Sequence, residues 1–333
     1  MVAKLSFPWE KLADKTVLIS GATGMIGTCL IDVLMQKNAD GLNCKIYALG
    51  RNAEKAKSRF AYCYDSKYFE FIPYDINIPL ECDLGRVDYI LHLASNTHPV
   101  AYSNDPIETI TTNIIGTNNL LQYAVEHKTE RFLFASSVEI YGENRGDVEK
   151  FNESYLGYID CNTLRAGYPE SKRCGEALCQ AYKQQYGLDV VIPRISRVYG
   201  PTMLMSDTKA SSQFILKAVA GEDVVLKSAG NQFYSYTYVA DAVSGLLTVL
   251  LKGENGEAYN IASDDITLKD FAKLCAQASG TKVVFDIPNV NEASGYSTAT
   301  KAILDRGKLQ SLGWRDAFDL KRGIERTLTL LMK

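Results

Sequence analysis

Lys15-Thr16-Val17-Leu18-Ile19-Ser20-Gly21-Ala22-Thr23-Gly24-Met25-Ile26-Gly27 joins a β-branched apolar run to three glycines set three residues apart. After it, Ile26, Leu30, Ile31 and Leu34 recur at helical spacing, so the local reading is strand, glycine turn, helix. In that context Gly21 makes the tight turn, Gly24 lets the backbone approach a pyrophosphate, and Gly27 lets helix and strand pack closely. The helix N-terminus supplies N–H groups that face an anion. The stretch therefore predicts a dinucleotide site built on Gly21, Thr23, Gly24, Met25, Ile26 and Gly27.

Outward from this turn, short apolar runs read as strands at residues 45–49, 68–73, 87–94, 131–135 and 189–195, with a long helix over 105–127. Strands alternating with helical segments need crossovers, which predicts a Rossmann-type α/β fold, a doubly wound parallel sheet. Helical patterns at 212–219, 239–251, 268–278 and 320–331 mix with extended ones at 224–226, 258–261 and 283–285, without regular alternation. They predict a smaller α+β substrate lobe interwoven with the sheet. The division is a dinucleotide-binding domain over 1–195, with 232–262 partly returning to it, and a substrate-binding lobe over 196–231 and 263–333. At the end of the second strand, Gly50 stands where an NAD-selective site offers an acid to the ribose 2′-hydroxyl, and Arg51 follows. Arg51 would pair with a 2′-phosphate, which favours NADP over NAD, or else stack on adenine or lie in solvent.

The 333 residues carry 36 Lys+Arg against 39 Asp+Glu, a formal charge of −3, which gives no electrostatic footprint for nucleic acid or an anionic membrane. Eight scattered cysteines without a C-x-x-C pair, beside only three histidines, predict no metal site and reduced thiols in a cytoplasmic protein. No segment reaches the roughly 20 apolar residues of a membrane span.

Ala166-Gly167-Tyr168-Pro169-Glu170-Ser171-Lys172-Arg173 sets a phenol and an ammonium four residues apart at a helix start, on one face. A tyrosine phenol, which ordinarily titrates at about pH 10, is a poor base near neutrality unless a cation stabilises its phenolate. Ser137 and Glu139 follow the fifth strand, where the ligand crevice of an open parallel sheet lies. They are placed to meet Tyr168.

Together these residues resemble the extended short-chain dehydrogenase/reductase family, the NAD(P)-dependent nucleotide-sugar epimerases, dehydratases and decarboxylases, over nearly the whole chain. The glycine turn is similar to the family's cofactor turn, Asp75-Ile76 to its pair at the adenine, and His92-Leu93-Ala94-Ser95 to its H-L-A-A segment. Ser137 with Tyr141-Gly142, Tyr168 with Lys172, Val198-Tyr199-Gly200-Pro201 and Leu312-Gly313-Trp314 complete the order. The resemblance implies that Tyr168 takes a proton from a sugar hydroxyl while hydride leaves C4 for the nicotinamide. Lys172 would hold the phenolate and the nicotinamide ribose, Ser137 would bond the same oxygen, and Leu93, Ala94 and Ser95 would line the cofactor.

Glu139 matches the glutamate that assists proton movement at C5 in family dehydratases and decarboxylases, whereas the aspartate before it in some dehydratases is Val138 here. The plain alternative is an exposed loop glutamate. The family's diphosphate-binding arginine is replaced at Tyr234 or Ser235, and its usual asparagine by Arg197. Arg197 is therefore expected to return a cation to the diphosphate from another wall, with Lys301 as a second substrate contact. The expected activity is transient C4 oxidation of a nucleotide sugar, with decarboxylase- or dehydratase-like chemistry favoured. The alternatives are a nucleotide-sugar 4-epimerase, an NADP-dependent carbonyl reductase and, last, a non-catalytic dinucleotide-binding protein. The helices at 105–127 and 168–186 resemble those through which the family forms homodimers.

Overall fold

The computed structural model describes residues 2–97, 104–287 and 299–332. Residues 98–103 and 288–298, assigned above to the sheet domain and the smaller lobe, lie outside the described residues. The chain opens as β1 (Thr16–Ser20), α1 (Met25–Ala39), β2 (Lys45–Gly50), α2 (Ala53–Arg59), β3 (Phe69–Pro73), β4 (Tyr89–His92), α3 (Pro106–Glu126) and β5 (Arg131–Phe134). It continues through the short β6 (Ser136–Ser137), α4 (Gly167–Tyr186) and β7 (Val190–Ile195). β8 (Arg197–Tyr199), α5 (Ala210–Val219), β9 (Val224–Leu226), β10 (Phe233–Tyr238), α6 (Val239–Lys252) and β11 (Ala258–Ile261) follow. The last elements are β12 (Asp264–Thr267), α7 (Leu268–Ser279), β13 (Val283–Phe285), β14 (Lys301–Ala302), α8 (Gly307–Ser311) and α9 (Leu320–Leu331).

The large sheet runs β11-β7-β5-β4-β1-β2-β3, with β6 beside β7, and every pair is parallel. Helices cover both faces, so its central strands are continuous apolar runs and not alternating ones: every residue of β4 is buried. Strand order reverses between β1 and β4, and ligands of doubly wound sheets bind beyond the carboxyl ends at such a point. The glycine turn is there.

After Ile195 the chain steps from β7 straight into β8 and so into the second sheet. That sheet is centred on β10, antiparallel to β12 and parallel to β8 and β14. Its core joins Tyr199, Tyr236, Phe271 and Ile324, while α6 and β11 return to the large sheet, where β11 pairs with β7. The two lobes are interwoven, as the irregular second half of the sequence predicts.

Some elements depart from the sequence reading. β8, β10, β12 and α2 were not expected. β10 is aromatic on one parity and hydroxyl-rich on the other, yet buried on both, since Ser235 and Thr237 bond within the core. α2 has little apolar content and is started instead by the Asn52 side chain, which accepts from the Lys55 N–H (2.8 Å). β4 stops at His92, short of the expected residue 94, because the Ala94 amide donates to Ser20 Oγ (3.2 Å) and not to a neighbouring strand.

Candidate active site

Gly21 ends β1 with φ +70°, and a Cβ there would lie 2.7 Å from the Ala94 amide nitrogen. Only glycine meets both demands. A Cβ on Gly27 would lie 2.5 Å from the Gly21 carbonyl oxygen, so this residue closes helix onto strand. Gly24 differs: its only near neighbour would be the Gly21 carbonyl at 3.2 Å. Gly24 is also the N-cap of α1 and brings no side-chain cap, so among the described residues no side chain engages the first-turn N–H groups around Met25 and Ile26. An open cradle of N–H donors at a helix start fits the diphosphate of a dinucleotide. Thr23 borders the cradle, its Oγ 4.0 Å from where a Cβ on Gly50 would stand.

Asp75 and Ile76 follow β3. Ile76 packs against Gly116 of α3, its carbonyl accepts from Asn119 Nδ2 (2.8 Å), and Asp75 accepts from the Asn77 amide (3.0 Å). Arg51 is exposed and forms an ion pair with Glu108 in the first turn of α3. Leu93, Ala94 and Ser95 continue from β4 past the glycine turn. His92, fully buried between Ser20 and Thr117, has its pKa pushed down to about 3 by burial, which makes it a neutral structural group.

Tyr168 and Lys172 are buried on α4. α4 comes this close to β5 because Gly175 has no side chain: a Cβ there would meet the Phe134 ring at 2.3 Å. Ser137 pairs in register with Ile195. Its Oγ accepts from the Glu139 amide (3.2 Å), capping the turn Val138–Tyr141, and shares a hydrogen bond with the Tyr168 phenol. Thus Ser137, Glu139 and Tyr168 come together.

Burial pushes the phenol up to about 12, and the Glu139 carboxylate adds to the rise. The Ser137 hydrogen bond, the Arg165 guanidinium and a Ser95 hydrogen bond oppose it. Lys172 Nζ donates to the Ala135 carbonyl (2.8 Å) and lies 4.9 Å from the Phe134 ring centroid. Burial lowers its pKa to about 7, against an opposing pull from Glu176. A guanidinium also bears on the phenol, that of Arg165, three residues before it.

Sequence reasoning missed Arg165, although its place one helical turn from Tyr168 was available as a signal. It also missed the brace behind Tyr168: Ser95 Oγ donates to Asn113 (2.7 Å), Asn113 Nδ2 to Ser171 (2.9 Å), and Ser171 Oγ to the Tyr168 carbonyl (2.8 Å). Only the folded chain brings these elements together.

Glu139 is held by two guanidiniums, Arg165 Nη2 at 2.7 Å and Arg197 Nη2 at 3.3 Å. The reading of an exposed loop glutamate is thereby set aside, as its side chain is 22% exposed. Arg197 lies over the Tyr234 ring, its guanidinium carbon 3.5 Å from the centroid, and the Tyr234 hydroxyl donates to the Ala299 carbonyl (2.6 Å). Lys301 lies farther along the small sheet, opposite Phe233. A separate cavity of about 500 Å³ lies between α1 and α2, lined by Thr28, Asp32, Lys55, Arg59, Tyr62 and Thr202. None of the residues around Tyr168 borders it. Among the described residues, no group of three or more His, Cys, Asp or Glu is arranged to hold a metal ion, and no helix is long and apolar enough to cross a membrane.

Comparison with known proteins bears on the family and the fold. Residues 17–262 match the NAD dependent epimerase/dehydratase family. UDP-glucuronic acid decarboxylase 1 of Xenopus tropicalis is 33% identical over 322 residues, 96% of this chain and 72% of that protein. UDP-glucuronic acid decarboxylase 5 of Arabidopsis thaliana is 31% identical over 94% of this chain and 88% of its own. The dTDP-glucose 4,6-dehydratase DesIV of Streptomyces venezuelae, solved with NAD bound, superposes with a TM-score of 0.81 at 25% identity, covering 95% of this chain and 96% of that one. With a match across more than half its length and relatives of this closeness, the chain is an enzyme of the NAD dependent epimerase/dehydratase family.

Proposed function

We propose that the enzyme acts on a nucleotide-linked uronic acid, oxidising it transiently at C4 and decarboxylating it. The observation that carries this reading is Glu139, seated on a turn capped by Ser137 and facing the Tyr168 phenol. The curated decarboxylase relatives support it. When bound, a nicotinamide dinucleotide supplies the acceptor and later the donor of the C4 hydride. The glycine turn, Asp75-Ile76, Leu93-Ala94-Ser95 and Lys172 would hold it.

Tyr168, as phenolate, accepts the C4 hydroxyl proton, and its hydrogen bonds with Ser137 and Ser95 favour that phenolate. A ketone at C4 makes the C5 carboxylate a β-keto acid. The bond from C5 to the carboxylate then breaks, carbon dioxide leaves, and the electron pair enters the enolate. A proton from solvent reaches C5 by way of Glu139, and Tyr168 returns one to the C4 oxygen. The cycle takes up one proton and is redox-neutral.

The preferred dinucleotide is NADP in this reading, with Arg51 leaving Glu108 to meet a 2′-phosphate. The exposed Ile107 and Ile115 of α3 and Tyr186 of α4 support a homodimer through those helices, and the enzyme is placed in the cytoplasm. A 4-epimerase is the second reading, favoured by the hold of two guanidiniums on Glu139, which suits a purely positioning role. Incubation with UDP-glucuronic acid and catalytic NAD or NADP, with detection of carbon dioxide and of the sugar product, tests the choice. Carbon dioxide release without net reduced cofactor is expected, and Glu139→Gln should lower kcat by about 100-fold. A 4-epimer formed without carbon dioxide decides for the second reading.

A further inference from the structure

Arg197 and Tyr234 form one unit in the wall of the site. β8 and β10 pair in parallel with Arg197 opposite Tyr236, so Tyr234, two residues before, lies on the same face. The guanidinium rests on the Tyr234 ring at 3.5 Å, and that ring is pinned by its hydroxyl to the Ala299 carbonyl. A stacked fork of this kind is held in one plane before any ligand arrives. Its Nη1 is buried and has no hydrogen-bond partner among the described residues, while Nη2 touches Glu139 at 3.3 Å. Arg165 holds the other Glu139 oxygen at 2.7 Å. Both oxygens of Glu139 are thus held by guanidiniums, while Arg197 keeps a buried N–H without a partner among the described residues. A buried donor without a partner is costly, the more so when it is charged. Such an arrangement is complementary to an additional anion.

Which anion follows from the ring chemistry. Tyr168 addresses C4, and Glu139 lies near enough to that phenol to raise its pKa. Arg197 touches Glu139. In a pyranose, C5 and its exocyclic carbon adjoin C4, whereas C1, which bears the diphosphate, lies across the ring. With Glu139 serving C5 in the reading above, a cation in contact with Glu139 faces the C5 substituent and not C1, and the sequence expectation of a diphosphate contact gives way to a different one. Resting on the reading in which Tyr168 works at C4, we infer that Arg197, propped on Tyr234, is a specificity-determining residue that grips the C6 carboxylate of a nucleotide-linked uronic acid. It uses its unpartnered Nη1 and exchanges its longer contact with Glu139 for the substrate. Glu139 then stays with Arg165, next to the carbon it serves.

The test is equilibrium binding to the NAD-loaded protein in a Tyr168→Phe background, which prevents turnover. The probes are UDP-glucuronic acid, UDP-glucose and UDP. With Arg197 present, the uronate should bind more tightly than the hexose. Arg197→Gln should weaken the uronate by about tenfold or more while moving UDP-glucose and UDP by less than about twofold. Arg197→Lys, which keeps the charge and loses the fork, should fall between the two. It serves as the reporter if Arg197→Gln does not fold, retention of NAD affinity being the control. Equal weakening of all three probes would mark a diphosphate contact and overturn the inference, as would an unchanged uronate affinity or no uronate preference with Arg197 intact. A uronate preference lost in Arg197→Gln, in an enzyme that releases no carbon dioxide, would instead remove the decarboxylase reading and leave this one standing.

Discussion

Replacing Lys172 by methionine tests whether the buried ammonium titrates near neutrality. Burial lowers its pKa from 10.5 to about 7 in the folded chain, so between those values the unfolded chain binds one more proton than the folded one. Stability then rises with pH across that window, by at most about 1.4 kcal/mol per pH unit. Below the window both states are protonated, and the full cost of a charged lysine in the interior stands. The interval from 10.5 to about 7 converts to roughly 5 kcal/mol as an upper figure. Integrated from about pH 6 to about pH 8.5, the contribution to a measurable change is roughly 2 kcal/mol.

Methionine keeps the length of the side chain and its packing on Phe134, and it removes both the proton and the bond to the Ala135 carbonyl. The lost bond shifts stability by a constant, whereas the lost titration removes a slope. Urea unfolding of the cofactor-free wild type and Lys172→Met at the two pH values reads the difference between them. The buried cysteines and tyrosines, which destabilise the folded chain at high pH, are common to both proteins and cancel. Wild type should gain about 2 kcal/mol on the variant as pH rises. A difference that does not change with pH would refute the reasoning, because the ammonium would then stay charged on the Ala135 carbonyl throughout.

Gly24→Ala should leave unfolding of the cofactor-free protein within about 1 kcal/mol of wild type yet weaken dinucleotide binding at least tenfold, because its Cβ meets only the Gly21 carbonyl at 3.2 Å. Gly27→Ala, whose Cβ would lie 2.5 Å from the same oxygen, should lose about 1–3 kcal/mol of stability as well; calorimetry with and without NAD separates the two. Arg51→Ala should shift the ratio of NAD to NADP affinity toward NAD by about tenfold, and Glu108→Gln should shift it the other way. A ratio unmoved in titrations of both variants removes Arg51 from cofactor choice. Ser95→Ala deletes a hydrogen bond that favours the Tyr168 phenolate, so the rising limb of the kcat–pH profile should move to higher pH, with no move counting against that bond.

The parts of this molecule legible in the sequence are those where local chemistry and fold agree. The glycine turn can be read because each glycine has a separate backbone reason, and the parallel strands because burial on both faces makes them unbroken apolar runs. β10 resists such reading: its polar residues are buried by bonds to Asp265 and Ser196, partners distant in sequence. The electrostatics of the site fail for a related reason. A tyrosine and a lysine four apart on a helix mark a pair, but the spacing does not reveal that Gly175 lets α4 sit close enough to β5 for Lys172 to donate to the Ala135 carbonyl. Desolvation, which depends on tertiary packing and leaves no mark on spacing, then moves both pKa values in the directions that oppose charge: the phenol up, the ammonium down.

The same dependence on packing decides how Arg197 and Tyr234 are understood. As a sequence difference, they read as a cation lost in one motif and gained in another, equivalent in charge and therefore assigned to the same diphosphate. Parallel pairing of β8 with β10 makes them neighbours, and stacking fixes the guanidinium where it stands. In the inference drawn above, a cation moved from β10 to the adjacent β8 addresses the C5 end of the sugar ring and not the C1 end, because C1 and C5 lie in different directions from C4. The net charge of the wall is conserved by the exchange, but the part of the substrate that the charge addresses is not.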